Sequence, residues 1–205
     1  MSATVHHPLA LSPSPSLSPS AVAEPSAQRW TGLPPVVSAQ TRVLVLGSFP
    51  GAASLAGGQY YAHPQNQFWK ILQALWPHAT LPPSGPAHYA ARCAWLLARG
   101  LGLWDVYASC ERVGSLDARI RQPKLNDFVR LRDQCPQLVG LAHNGAASFR
   151  HAPEVLACLQ RPGGGPRQLP VIATRLPSTS PAHASWPLER KVTAWAAVMK
   201  EHGLL

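Results

Sequence analysis

The segment VLVLGSFPGAASLAGGQYYAHPQNQFWKIL, residues 43–72, constrains the fold more than any other part of the chain. Four β-branched or leucine residues in a row, Val43 to Leu46, stop at Gly47, and a Gly/Pro turn leads to a helix start near Asn66. An apolar run with no polar alternation reads as a strand buried on both faces. Strand, loop and helix in that order form the unit of an open α/β sheet, whose ligands sit outside the carboxyl ends of the strands. This loop carries Phe49, Tyr60, Tyr61, His63, Asn66 and Phe68, groups suited to holding a planar ring.

The same pattern recurs along the chain. FWKILQALW places apolar residues at helical spacing until Pro77 stops it, and AHYAARCAWLLARG, residues 87–100, is a second helix ending in Arg and Gly. LGLWDVYAS is a second buried strand. In the segment that follows, Ser115 and Asp117 are placed to cap one short helix and Asn126 or Asp127 another. LVGLAHNG reads as a third strand, followed by a helix over residues 146–159. RPGGGPR is a hairpin-like connection, LPVIAT a fourth strand, RLPSTSPAHASW a loop, and residues 188–202 a closing helix. Alternation of strands and helices predicts a three-layer α/β/α sandwich around a four-stranded parallel sheet. The loops after the four strands, GSFPG, the region from Asp105, HNG and LPSTSPAH, should then meet on one edge.

Residues 1–27, rich in Ala, Pro and Ser, form a tail without sustained apolar periodicity, and residues 28–205 are expected to be one folded domain. The tail lacks the basic start and apolar core of a secretory signal. With 18 basic against 9 acidic residues the net charge is +9, a balance that favours a polyanionic partner and gives no sign of a membrane. Cys93, Cys110, Cys135 and Cys158 form no C-x-x-C pair, which argues against a metal site, and without a signal segment also against a disulfide framework. A reducing cytoplasm, bacterial and at the nucleoid, is the expected setting, with no cofactor and a monomeric state.

The order of motifs carries a resemblance. PGxxSLxxxxYYxHPxNxFW, then LWDVYASCERVGSLDARI, NDF, HNG and LPSTSPAHA, resembles the uracil-DNA glycosylase superfamily, and most closely its hypoxanthine-DNA (deoxyinosine) glycosylase branch, from about Arg42 to Trp195. The resemblance implies a monofunctional DNA glycosylase acting on double-stranded DNA that contains a deaminated base. Such an enzyme takes the base out of the stack and holds it in a pocket. Gly47, Ser48, Phe49, Pro50 and Gly51 would form the pocket floor and wall, and Tyr61 falls where relatives stack an aromatic ring on the flipped base. His63 belongs to the same segment.

Relatives with a GINPG motif use its Asn to position the attacking water, and the matching residue here is Phe49, which cannot bind water. The resemblance therefore assigns catalysis to Asn66, which orients rather than deprotonates water, since an amide is not a strong base. Asn66 is equally placed to cap a helix starting at Gln67, and the two roles are compatible. Ser178, Thr179, Ser180 and His183 would contact phosphate or base, although many relatives carry Asn where this chain has His183. Asp105 would read the base edge or cap a strand, and Asn144 with Gly145 would open a helix toward a phosphate or form a simple N-cap. Arg112, Arg121 and Arg175 are candidate phosphate contacts. Tyr60 divides between pocket and core, while Phe68 and Trp69 read as core. Three alternatives remain: a uracil or mismatch glycosylase with the same pocket, a non-catalytic DNA binder, and a nucleotide enzyme, the last lacking both a G-x-G-x-x-G loop and a P-loop lysine.

Overall fold

The computed structural model describes Met1 and residues 28–159, 170–183 and 185–205. The tail and the RPGGGPR connection read from the sequence lie outside the described residues. In chain order the elements are β1 (Arg29–Thr31), β2 (Val43–Gly47), α1 (Ala52–Gly57), α2 (Phe68–Leu75), α3 (Tyr89–Leu97), β3 (Leu101–Asp105), β4 (Tyr107–Glu111), β5 (Arg121–Leu125), α4 (Phe128–Gln134), β6 (Gly140–Asn144), α5 (Ala146–Phe149), α6 (Ala152–Leu159), β7 (Ile172–Leu176) and α7 (Leu188–Glu201).

The expected parallel sheet is present, in the order β3-β2-β6-β7. Val43 pairs with both Leu101 and Gly140, so β2 is central. Every residue of β2 and β3 is buried. Successive side chains of a strand point to opposite faces, so burial at every position requires cover on both sides of the sheet. Helices supply it, with α2 packing on α7 and α4 on α6. From β2 the chain moves outward to β3, then returns past β2 to β6 and β7. The loops leaving β2 and β6 therefore run apart, which opens a crevice at the carboxyl edge.

Three details differ from the sequence reading. The apolar run LGLWDVYAS is not one strand but two: β3 ends at Asp105, and β4 joins a separate antiparallel sheet, β1-β4-β5. Its outer strand RQPKL is exposed throughout and contains a proline, so no hydrophobic period announces it; Pro123 is tolerated because β5 is an edge. The single helix expected over 146–159 breaks into α5 and α6, because Pro153 lacks the N–H that a helix interior needs and fits only in a first turn. Finally, α1 occupies part of what reads as loop, and helix α2 begins at Phe68 rather than near Asn66.

Candidate active site

At the carboxyl edge of the parallel sheet lies a cavity of about 550 Å³, walled by segments that follow all four strands. Gly47, Ser48, Phe49, Pro50 and Gly51 come from the end of β2, Asp105 from β3, Asn144 from β6, and Ser178, Thr179, Ser180 and His183 from the loop after β7. Tyr61, His63 and Asn66 close it from the segment before α2. The sequence-predicted set is thus brought together in one place.

Asp105 is held tightly. Its main-chain carbonyl accepts from Asn126 Nδ2 at 2.8 Å, and its side chain lies against Gly47, where an added methyl group would overlap Oδ1. Only glycine admits the carboxyl at this position. Asp105 is 4% exposed, and its Oδ2 is buried without a hydrogen-bond partner among the described residues. Burial pushes its pKa up to about 8, the nearby Asp117 charge adds to the rise, and the Arg112 guanidinium opposes it. At neutral pH the group is mostly a neutral acid, able both to donate and to accept.

Tyr61 is one of two non-glycine residues with left-handed backbone among the described residues, at φ 57°. A conformation that costs about 1 kcal/mol persists where surroundings impose it. Here the ring stacks on Phe68 with centroids 4.0 Å apart, and the hydroxyl accepts from Asn144 Nδ2 at 3.2 Å. The same amide nitrogen donates to Thr179 Oγ1 at 2.9 Å, and Asn144 Oδ1 accepts from Thr179 N at 2.9 Å. Asn144 thus acts as a clamp between the β7 loop and Tyr61, with its oxygen and nitrogen both engaged, and does not cap α5; Gly145 takes that place at φ 106°.

Asn66 Oδ1 accepts from Phe68 N at 3.0 Å, which turns the chain into α2. A carbonyl oxygen has a second lone pair, and the amide nitrogen has no partner among the described residues, so the side chain retains capacity toward the cavity. Next to it, Gln67 N donates to Thr179 O at 3.0 Å. Lys191, 1% exposed on α7, donates to Gln67 Oε1 at 2.8 Å and to His183 O at 3.0 Å. Burial lowers its pKa. His183 Nδ1 is buried and unpartnered among the described residues, while His63 Nδ1 accepts from Gln65 N at 3.2 Å, which leaves its Nε2 as the donor.

The first loop is fixed from outside the sheet. Ser48 Oγ donates to Asp117 Oδ1 at 2.7 Å, and Ser115 Oγ accepts from Ala52 N at 3.0 Å. Ser115 and Asp117 are therefore not the helix caps expected from sequence: a 3₁₀ turn over Asp117–Arg119 has no side-chain cap. Asp127 does cap α4, accepting from Arg130 N. Arg112, expected as a surface phosphate contact, is 3% exposed; its Nη2 donates to Pro50 O at 2.6 Å and its guanidinium lies 5.1 Å from the Phe49 ring. Tyr60 is anchored, donating to the carbonyls of Leu33 and Pro34, and Phe68 and Trp69 are core.

The sequence reading passed over Lys191, named Gln67 only as a helix start, and named Asn126 only as a candidate helix cap, whereas its side chain donates to Asp105 O. A signal for Lys191 exists: it lies in helical phase with Trp195 and Val198, both buried, so a lysine on that stripe needs polar partners. Among the described residues no group of three or more His, Cys, Asp or Glu side chains is arranged to hold a metal ion, and no helix is long and apolar enough to cross a membrane.

Comparison with known proteins places this geometry. The family model of the uracil DNA glycosylase superfamily matches residues 34–199. A hypoxanthine DNA glycosylase of Methanosarcina acetivorans is 31% identical over 169 residues, covering 82% of this chain and 97% of that protein. One of Methanosarcina barkeri is 35% identical over 122 residues, 60% of this chain and 75% of that protein. The solution NMR structure of a candidate uracil DNA glycosylase from Methanosarcina acetivorans superposes with a TM-score of 0.67 at 26% identity, covering 85% of this chain and 99% of that one. The chain belongs to the uracil DNA glycosylase superfamily and, within it, to the hypoxanthine DNA glycosylases.

Proposed function

We propose that this DNA glycosylase hydrolyses the N-glycosidic bond of hypoxanthine flipped out of double-stranded DNA, as a monomer in a reducing cytoplasm. The observation that carries this reading is the buried Asp105 carboxyl, whose Oδ2 has no partner among the described residues, set beside an aromatic wall in a cavity at the strand ends. Hypoxanthine presents a lactam edge, one N–H donor beside one carbonyl acceptor. A carboxylic acid matches that edge with its own acceptor and donor, so the buried polar groups of base and protein are both satisfied when the base is bound.

In the reaction, the C1′–N9 bond breaks with its electron pair passing to the base. Negative charge collects on the lactam oxygen, where the Asp105 O–H donates. Asn66 Oδ1 accepts a hydrogen bond from the water whose oxygen bonds to C1′. The water's proton leaves to solvent, and the departing base takes up one in turn. Lys191 Nζ is engaged by Gln67 and His183, Lys70 is exposed on α2, and neither Lys124 nor Lys200 lines the cavity, so no lysine attacks C1′.

Duplexes holding hypoxanthine, uracil or a thymine mismatch, cleaved with alkali after incubation, test the reading. Release of hypoxanthine about tenfold or more above uracil is expected, on the scale of the extra stacking that a two-ring base offers the aromatic wall, since uracil carries the same lactam edge. Uracil release above hypoxanthine release would overturn the substrate assignment, and absence of cleavage on all three would leave only a DNA-binding protein.

A further inference from the structure

Helix α7 breaks its own pattern at one position. Lys191 stands on the stripe of Trp195 and Val198, is 1% exposed, and among the described residues has no carboxylate within ion-pair distance. An ammonium buried without a counter-charge is expensive, and methionine, of similar length, would fill the space without that cost. Such breaks of a local rule collect at functional sites.

The contacts of Lys191 say which function it serves. Its Nζ donates to Gln67 Oε1 on one side and to His183 O on the other, and so joins the segment that carries Asn66 to the loop after β7. Gln67 is the N-cap residue of α2, yet its side chain does not cap that helix and reaches Lys191 instead. Its main-chain N donates to Thr179 O at 3.0 Å, and Thr179 is itself held by Asn144. One hydrogen bond at Gln67 is a pivot about which the chain can turn. The Lys191 contact supplies a second fixed point, and it sets the direction in which the neighbouring Asn66 amide faces. Both groups it meets are acceptors, so the residue between them must bring at least two hydrogens, which an ammonium does. We infer that Lys191 is a positioning residue for base release, holding the Asn66 amide toward the cavity through Gln67 while it fixes the loop that carries His183. This rests on the role of Asn66 in the function proposed above.

A positioning residue changes the rate of the chemical step and leaves binding alone. In Lys191→Met the single-turnover rate of hypoxanthine release at saturating enzyme should fall about tenfold, the scale of a small misplacement at the reacting centre, while the half-saturating enzyme concentration and the affinity for an abasic-site duplex stay within about twofold. Gln67→Met cuts the same link from its other end, so it should lose the same factor, and the double variant should be no slower than either alone. In Asn66→Ala, where nothing is left to position, adding Lys191→Met should cost less than about twofold more. An unchanged rate in Lys191→Met, a further tenfold loss in the Asn66→Ala background, or a loss of abasic-site binding in step with the rate would each overturn the assignment, the last two marking Lys191 as support for the fold alone. Should Lys191→Met fail to fold, Gln67→Met, which keeps Lys191 on His183 O, carries the same comparisons. Asn66→Ala releasing base as fast as the parent would instead remove the proposed role of Asn66, and with it the need for Lys191 to position it.

Discussion

The two sheets of this molecule are built on opposite rules. The parallel sheet is made of residues that water rejects: β2 and β3 are buried at every position, and their pairing is enforced by helices on both sides. The antiparallel sheet has β5 exposed at every position and a β4–β5 register that shifts twice; Tyr107 and Cys110 of β4 tie it to the core, while backbone hydrogen bonds and two side-chain pins hold its outer part. The first kind of sheet sets the residues at its strand ends in a close-packed frame, which a pocket for one base requires. The second offers a cationic, adaptable surface, which suits a backbone that is the same for every sequence. Chemistry should therefore depend steeply on residues at the ends of the parallel sheet and in the segment that closes the cavity, and only gradually on those of the antiparallel one.

The largest effect is expected at Asn66. Asn66→Ala should lower single-turnover base release by about 100-fold or more, the scale of losing a positioned group at the reacting centre, while an abasic-site duplex binds almost as before. The substitution also removes the acceptor for Phe68 N, worth about 1 kcal/mol of stability. Asn66→Asp keeps that acceptor and so separates the two roles: its melting temperature should match the parent's. Parallel loss of turnover and abasic-site binding in Asn66→Ala would show the side chain to be a cap and nothing more.

How much of this was legible in the sequence follows the same division. The presence and direction of the four parallel strands stood out in VLVLG, LGLWDVYAS, LVGLAHNG and LPVIAT; burial leaves an apolar run in the first three, whereas the edge strand β7, exposed at Ile172, stood out by its β-branched residues and its place in the strand–helix alternation. The site residues around the cavity were legible for a related reason: strand ends converge, so polar residues just beyond them meet. What escaped was held by polar groups acting over distance. Nothing in RQPKL signals a strand, and nothing near Ser115 or Asp117 reveals that their partners are Ala52 and Ser48, more than sixty positions away. Arg112 misled for the opposite reason: arginine is so often at the surface that its burial beneath Pro50 and Phe49 was not the natural expectation.

A middling effect, and a test of the parallel sheet's precision, lies at Asp105. Its folded pKa, about 8, is above the unfolded value of 3.8, so its contribution to stability is fully present below that unfolded value and is lost as pH rises through about 8. Asp105→Asn, an uncharged mimic of the neutral acid, should accordingly gain in melting temperature over the parent as pH is raised from about 4 to 9, by an amount equivalent to a few kcal/mol. The parent's kcat/KM should fall above pH 8 as the O–H donor is lost. In Asp105→Asn that alkaline limb should vanish while activity stays within about tenfold, because an amide still donates and accepts. An alkaline limb that survives in Asp105→Asn would assign the titration elsewhere. Gly47→Ala, which displaces the carboxyl without altering its chemistry, should reproduce the activity loss of Asp105→Leu.

The smallest effects belong to the antiparallel sheet. If it contacts the DNA backbone through charge alone, Lys124→Gln or Arg119→Gln should weaken duplex binding only about threefold to tenfold at low salt, and each should reduce the slope of log affinity against log salt by about one. The loss should be the same for hypoxanthine-containing and ordinary duplexes, since a phosphate contact carries no base information. Lys200 provides the contrast. It is exposed near the end of α7, where the neighbouring His202 ring packs against Gly140 at the start of β6, so it lies at the edge of the parallel sheet away from the cavity. Lys200→Gln removes an equal charge and should leave the slope unchanged. A reduced slope in Lys200→Gln, matching that of Lys124→Gln, would mean that the whole basic surface steers DNA without a defined footprint, and the division of labour between the two sheets would not hold.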